Sequence, residues 1–390
     1  MALNFQQVFE KIREIGLGAQ ARQEALDNLR TKARVLLEAW ADKNAELRDK
    51  VERARQSDPS VRCAIPLDER MDAAFPATAD LNSITLLAAD GSQILPDRHA
   101  AVQYSLVNVG AIAMRDGSGE APEVFTDSQL LFGDELFSES GLVSGEAIEQ
   151  RRDIAERRSL LELAPKYPAP VLALTDGPVE LWGAKGADEE DYRKNLEIHK
   201  SILSQLQAKG VTVAGYVDKP GADLIVRTLE IAQLSTDEEF KQIRKLHSLR
   251  GVTDRWLYGW LPGGQRSAVF GLQSGSRAHY TGDLALHFFY LNVGDTQHPW
   301  LVRVEIPKWV ADDEEKLSLL HAALLEQCRI MGAKPYPYIL QRAHEIAVVK
   351  FEEKAQVEQM LEMELRQSGS EMDEISAKQS AKNLKGRSGS

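Results

Sequence analysis

The sequence predicts an α/β protein in which a mixed sheet is flanked by helices, with a long N-terminal helical arm and a C-terminal helix. Three observations lead there. The short apolar runs Ile84–Ala89 and Val171–Thr175 each stop at an Asp-Gly pair, as buried strands of an open α/β sheet do at their ligand-binding ends. Segments of helical periodicity alternate with these and further strand-like runs. At 390 residues, with 43% apolar and 27% charged composition, the chain can bury a large core or several domains.

Composition also excludes. Cys63 and Cys328 stand far apart without a CxxC partner, which leaves no disulfide framework or thiolate zinc site and makes a reducing cytoplasm the expected setting. Met1–Gln6 has no basic and apolar leader, and no later apolar run reaches bilayer length. A formal charge of −12 argues against nonspecific coating of nucleic acid. It does not exclude a metal-dependent nuclease, which keeps part of its acidic surplus in the site and concentrates arginines in one channel.

Taken in order, Phe5, Val8, Phe9 and Ile12 behind Asn4 predict a short amphipathic helix ending near Gly16–Gly18. Residues 19–56 contain no proline or glycine and carry a sparse stripe of Leu29, Leu36, Leu37, Trp40, Leu47 and Val51, which predicts one long helix. Residues 1–64 thus form an arm, set against a partner, against another subunit, or back along its own body. Pro66–Pro76 carries the chain into a main domain over residues 80–365. There the sequence predicts a strand to Asp90, a strand over Val102–Met114, a third from Glu123, and a helix over Ser144–Ala164. A strand to Asp176, a helix over Tyr192–Ala208, a strand over Val211–Val217 and a helix over Ala222–Ala232 follow. Three strands, helix, strand, helix, strand, helix is the element order of the ribonuclease H-like fold. Beyond it come a helical Ser235–Arg250, strands over Leu284–Leu291 and Trp300–Ile306, a helix over Asp312–Met331, and a long helix from Tyr338 to Leu365. Residues 366–390, rich in Ser, Gly, Lys and Glu, cannot build a core and are expected to be disordered.

Two strands that each deliver an aspartate at one sheet end would make a hard, oxygen-rich cation site from Asp90 and Asp176. Asp-Gly is equally a common hairpin turn, and that reading stays open at this point. Phosphodiester hydrolysis by two divalent ions needs carboxylates that flank or bridge them. A third acid would come from the intervening helix, where Glu156 is preferred over Glu149 and Glu162, and His344 is the candidate nitrogen ligand. Arg98, Lys219, Arg266 and Arg303 are candidate phosphate contacts, and Tyr336 and Trp182 candidate stacking platforms for unpaired bases.

The run Leu87–Gln93 followed by Pro96, Arg98, His99 and Tyr104–Gly110 resembles the opening motif of the NurA nuclease domain. Leu174-Thr175-Asp176-Gly177-Pro178 is similar to that family's second acidic motif. Pro335-Tyr336-Pro337-Tyr338 through Ala343-His344 is similar to its C-terminal Tyr/His motif, with Tyr336 and His344 eight positions apart. The resemblance covers roughly Thr85–Lys350. It implies a manganese-dependent DNA nuclease with 5′ to 3′ exonuclease and single-strand endonuclease activity. It further implies a homodimer that processes DNA ends with the hexameric translocase HerA. By the same resemblance Asp90, Glu156, Asp176 and His344 are metal ligands, with Mn²⁺ or Mg²⁺ as a two-ion cofactor, and Tyr336 is an active-site tyrosine. A non-catalytic DNA-channel adaptor and an RNA-directed nuclease on the same scaffold are the alternatives.

Overall fold

The computed structural model of the chain describes residues 3–81, 83–97, 102–138, 141–183 and 189–369. Its first elements are α1 (Phe5–Leu17), α2 (Ala19–Trp40), α3 (Asn44–Ser57), β1 (Cys63–Pro66) and β2 (Ala74–Pro76). Then come β3 (Thr85–Ile94), β4 (Tyr104–Arg115), β5 (Glu123–Phe132), the small paired strands β6 (Phe137–Ser138) and β7 (Gly141–Leu142), and α4 (Gly145–Leu163). β8 (Val171–Asp176), α5 (Glu189–Ala208), β9 (Thr212–Val217), α6 (Leu224–Ala232), α7 (Asp237–Lys241) and α8 (Asp254–Leu257) follow. The chain continues through β10 (Gln265–Ser267), β11 (Phe270–Gln273), β12 (Leu286–Asn292), β13 (Leu301–Pro307), α9 (Lys308–Ala311), α10 (Glu314–Ile330), α11 (Tyr338–Ala347) and α12 (Phe351–Gln367). Among the described residues no helix is long and apolar enough to cross a membrane.

The chain packs as two compact units, Met1–Ala79 with Tyr216–Leu325 and Asp80–Gly215 with the segment from Glu326 onward. In the second unit the strand order is β5-β4-β3-β8-β9, with β3 antiparallel to β4 and parallel to β8. That is the ribonuclease H-like order expected from the sequence. The central strands are apolar on both faces because helices cover both: Leu86, Leu87, Leu172 and Leu174 are buried, as are Ile148 and Leu160 of α4. α4 starts where Ser144 accepts from the Ala147 amide at 3.2 Å.

Two glycines set how closely helices approach this sheet. Gly91 and Gly110 lie on opposite faces, since Gly110 pairs with Asp90 and side chains alternate along a strand. A Cβ on Gly91 would fall 2.4 Å from Cγ of Arg152 on α4, and one on Gly110 would fall 2.4 Å from the Ala347 amide nitrogen of α11. The expected strand end at Asp90 is therefore corrected. Asp90-Gly91 is strand interior, and glycine serves close approach there rather than a turn.

The long helix expected to reach Leu365 is broken at Val348–Lys350. The Ala347 carbonyl accepts from Asn108 Nδ2 at 2.7 Å and from Ser92 Oγ, so two strands take the acceptor that a continuing helix would use.

The first unit corrects the arm as well. Residues 19–56 form two helices, because the Ala41 carbonyl accepts the Met71 amide at 3.0 Å and leaves the helical ladder. Ala33 and Leu37 of α2 and Leu47, Val51 and Ala54 of α3 are buried, with Val51 and Ala54 packed against Cys63, Ile231, Phe240 and Ile243. From α2 onward the arm thus lies along its own unit. α1, capped by Asn4 at 3.3 Å to the Gln7 amide, buries no residue. Pro66–Pro76, expected only as a link, supplies β1 and β2, which pair with β11 and β10. The segment expected to be helical over Ser235–Arg250 holds only the short α7 and turns.

Asp254 anchors this unit. Its buried carboxylate accepts from the amides of Ile225 at 3.0 Å and Val226 at 2.9 Å, at the start of α6, and from the Tyr290 hydroxyl at 2.7 Å. The unpaired N–H groups and dipole of a helix start favour such an anion, while burial pushes the carboxyl up to about 6.

Asp254→Ala leaves those donors buried without an acceptor and is expected to cost roughly 2–4 kcal/mol, read as a lower urea midpoint; an unchanged midpoint contradicts this role. Gly110→Ala pushes backbone against backbone and is expected to cost about 1–3 kcal/mol. If thermal denaturation shows it as stable as the parent, the packing of α11 on β4 is not as described.

Candidate functional site

The site lies in the second unit and begins with a register. β3 and β8 run parallel with Ala89 opposite Thr175, so Asp90 and Asp176 follow as the next level pair and point to the same face. Strands in a sheet lie about 4.8 Å apart, close enough for the two carboxylates to act on one ligand.

The same face carries α11. His344 Nδ1 donates to Asp90 Oδ2 at 2.7 Å, and the other oxygen, Oδ1, accepts the Gly91 amide at 2.8 Å. Because the carboxylate accepts, Nδ1 carries the hydrogen, and in the neutral ring Nε2 is the nitrogen with a free lone pair. His344 is more than half exposed and the Asp90 side chain 17% exposed, so the pair is reachable from solvent. The Tyr336 hydroxyl hydrogen-bonds Asp176. Partial desolvation at the sheet end raises the Asp176 carboxyl above its ordinary range, Tyr336 opposes that, and the Asp90 charge adds to it.

Glu156 comes from the other face. α4 lays it against the bare backbone of Gly91, where a Cβ would lie 2.9 Å from its Oε1. Glu156 is buried, and Glu149 and Glu162 are exposed. Burial, then the charge of Asp153, pushes Glu156 up to about 8, against the opposing pull of Arg157 and Arg152. Arg152 Nε stands 3.4 Å from Glu156 Oε1.

These side chains are pieces of a cation site rather than a closed one. Among the described residues no group of three His, Cys, Asp or Glu side chains forms a ready metal-ligand set. The donor chemistry nevertheless fits a hard divalent ion. Asp90, Asp176 and Glu156 provide oxygen and His344 provides one nitrogen, and the carboxyls of Asp176 and Glu156 stay raised despite the Tyr336 hydroxyl beside one and Arg152 and Arg157 beside the other.

Several supporting residues carry no signal in the sequence. Arg157 donates to the Pro178 carbonyl and to the Asp153 carbonyl, each at 2.9 Å, and so holds the turn after Asp176. Gly177 makes that turn with φ of 83°, and Gly215 lets it approach β9, since a Cβ there would lie 2.5 Å from the Gly177 oxygen. Arg152 reaches Gln93 Oε1 at 3.0 Å. Ser92 and Asn108 fix the end of α11 and thereby His344. Each depends on a partner distant in sequence, which spacing alone does not reveal.

Two expected phosphate contacts are corrected. Arg303 is buried and paired with Glu305 at 2.8 Å, and Arg266 is paired with Glu69 at 2.9 Å over the Phe75 ring, so both are structural. Arg98, with His99 of the opening motif, lies outside the described residues, as does most of the 366–390 tail. Lys219 is exposed, with its ammonium 4.1 Å from the Trp300 ring centre. Trp182 is exposed, and Tyr336 is engaged with Asp176.

The profile of the family described as NurA domain matches residues 84–349, a span that holds Asp90, Glu156, Asp176, Tyr336 and His344. The fold is similar to the NurA nuclease from Sulfolobus solfataricus at 13% identity and TM-score 0.53, over 93% of this chain and 98% of that one. The catalytic domain of human endonuclease V is similar at 15% identity and TM-score 0.32, over 80% of this chain and 95% of that one. No curated protein matches the sequence. With the profile matched across well over half of its length, the chain belongs to the NurA domain family.

Proposed function

We propose that the chain is a metal-dependent DNA nuclease that hydrolyses phosphodiesters at the Asp90–Asp176 pair. The carrying observation is the parallel register that brings these carboxylates level with His344 already bonded to Asp90. Family membership supports the reaction class, as does the name of the Sulfolobus solfataricus nuclease whose fold it shares.

Asp90, Asp176, His344 and Glu156 would hold two divalent ions, preferably Mn²⁺. Such ions activate water on one side of the phosphate and stabilise the leaving oxygen on the other. The protein's part is positional. Asp90 fixes the His344 tautomer and the Gly91 amide fixes Asp90, so neither ligand has to reorganise on binding. Tyr336 donates to Asp176 and favours its ionised form against the desolvation of the site. Arg157 keeps the turn after Asp176 in place.

The finer reading is 5′ to 3′ exonuclease and single-strand endonuclease action in DNA end resection and double-strand break repair. A homodimer would work in the cytoplasm with a HerA-type hexameric translocase. The uncovered apolar face of α1, with Phe5, Val8, Phe9 and Ile12 exposed, offers area for such partners.

Asp90→Ala is expected to lower Mn²⁺-dependent degradation of end-labelled single-stranded DNA by about 10³-fold, ~4 kcal/mol of transition-state stabilisation, with the circular dichroism spectrum unchanged. Full residual activity, or equal loss of a matched RNA-cleaving activity that exceeds the DNA activity in the parent, contradicts the assignment. Tyr336→Phe is expected to raise the Mn²⁺ concentration for half-maximal rate about tenfold; an unaltered metal requirement would remove Tyr336 from the site.

A further inference from the structure

The first unit carries a cavity of about 480 Å³ lined by Arg30, Arg34, Lys219, Arg255, Trp256 and Trp300. Arg30 and Arg34 stand over the Trp256 ring at 5.0 and 5.5 Å, and Lys219 stands over the Trp300 ring at 4.1 Å. The Trp300 indole N–H donates to Asp218 at 2.9 Å, which fixes the plane of that ring. Lys219 holds φ of 44°, a left-handed turn that sets its side chain beside the ring.

Cations over exposed indoles are common as solvated rim pairs, so the pairing of the charges decides. In this unit several arginines are neutralised: Arg53 by Asp237, Arg70 by Asp72, Arg244 by Asp58, Arg266 by Glu69, and Arg303 by Glu305. At the cavity, Arg30 alone has a carboxylate, Asp27 at 2.9 Å, and its buried Nε is without a hydrogen-bond partner. Among the described residues Arg34, Lys219 and Arg255 have no carboxylate partner. Acids outnumber bases 59 to 47 in the chain, so like charges left unpaired around one cavity call for an external anion.

We infer that this cavity is a binding site for single-stranded DNA, with phosphates held by Arg34, Lys219 and Arg255 and bases stacked on Trp256 and Trp300. Two indole faces beside cations suit a strand whose bases are unpaired, because a duplex hides base faces in its stack. The choice of DNA over other polyanions rests on the nuclease reading above. The cluster's dependence on phosphate and on a flat ring does not.

The test is fluorescence anisotropy of a labelled oligothymidylate in EDTA, across a salt series, with the full chain. Arg34→Ala combined with Arg255→Ala is expected to weaken binding about 10- to 30-fold at low salt and to flatten the salt slope by ~1.4, two phosphates on a single strand. Trp256→Leu is expected to weaken it about tenfold and Trp256→Tyr by less than about threefold, since tyrosine keeps a stacking face. Inorganic polyphosphate is expected to compete less well than unlabelled oligothymidylate. Parent-like affinity and slope in the arginine variant overturn the site. Equal losses in both Trp256 variants, or polyphosphate competing as well as DNA, overturn the stacking half. Because EDTA removes cleavage, the two readings fail separately. Cluster-dependent binding without Mn²⁺-dependent cleavage sinks the nuclease and keeps the site, and cleavage with undiminished binding in the arginine variant does the reverse.

Discussion

Two aspartates from different strands can serve one ligand only if the backbone brings them level and turns them to the same face. The parallel register of β3 on β8 does both, with Ala89 opposite Thr175 and Asp90 beside Asp176 in the next row. A slip of one residue would send one carboxylate to the opposite face. Much of the rest of the second unit serves that row. Gly110 removes the side chain that would keep α11 and His344 at a distance, Gly91 does the same for α4 and Glu156, and Ser92 and Asn108 hold the end of α11.

The two units handle charge in opposite ways. In the second, Glu156 is buried and Asp176 stands at an exposed strand end; both carboxyls are partly desolvated near other acids and lifted above their ordinary range, an arrangement that favours a cation from outside. In the first, buried or half-buried charges are matched within the protein, as in Arg303–Glu305 and Arg227–Glu230, and Asp254 is satisfied by two amides and a hydroxyl. The arginine and lysine group around Trp256 and Trp300 departs from that pattern, leaving cations unmatched.

The strand and helix order of the ribonuclease H-like sheet was legible because its strands are apolar runs and its helices periodic. Asp90, Asp176 and His344 stood out through their neighbours in sequence. What could not be read was set by distant partners. Asp90-Gly91 looked like a strand end because glycine after aspartate signals a turn, whereas here it clears space for Arg152 and Glu156. The helices broken at Ala41 and Ala347 contain no proline or glycine at the break, since tertiary hydrogen bonds to Met71, Ser92 and Asn108 cause it. Arg303, expected to meet phosphate, shares a strand face with Glu305, and the two neutralise each other there. β1 and β11 escaped notice because each is four residues long and gains its pairing from a segment some two hundred residues away.

The central claim is that Asp90, Asp176 and His344 form one cation site. Anomalous diffraction at the manganese edge from crystals soaked in MnCl₂ tests it most directly. The account predicts an anomalous peak at coordination distance from both aspartates, lost in crystals of Asp176→Asn. A peak elsewhere on the molecule with none between the two carboxylates would contradict it.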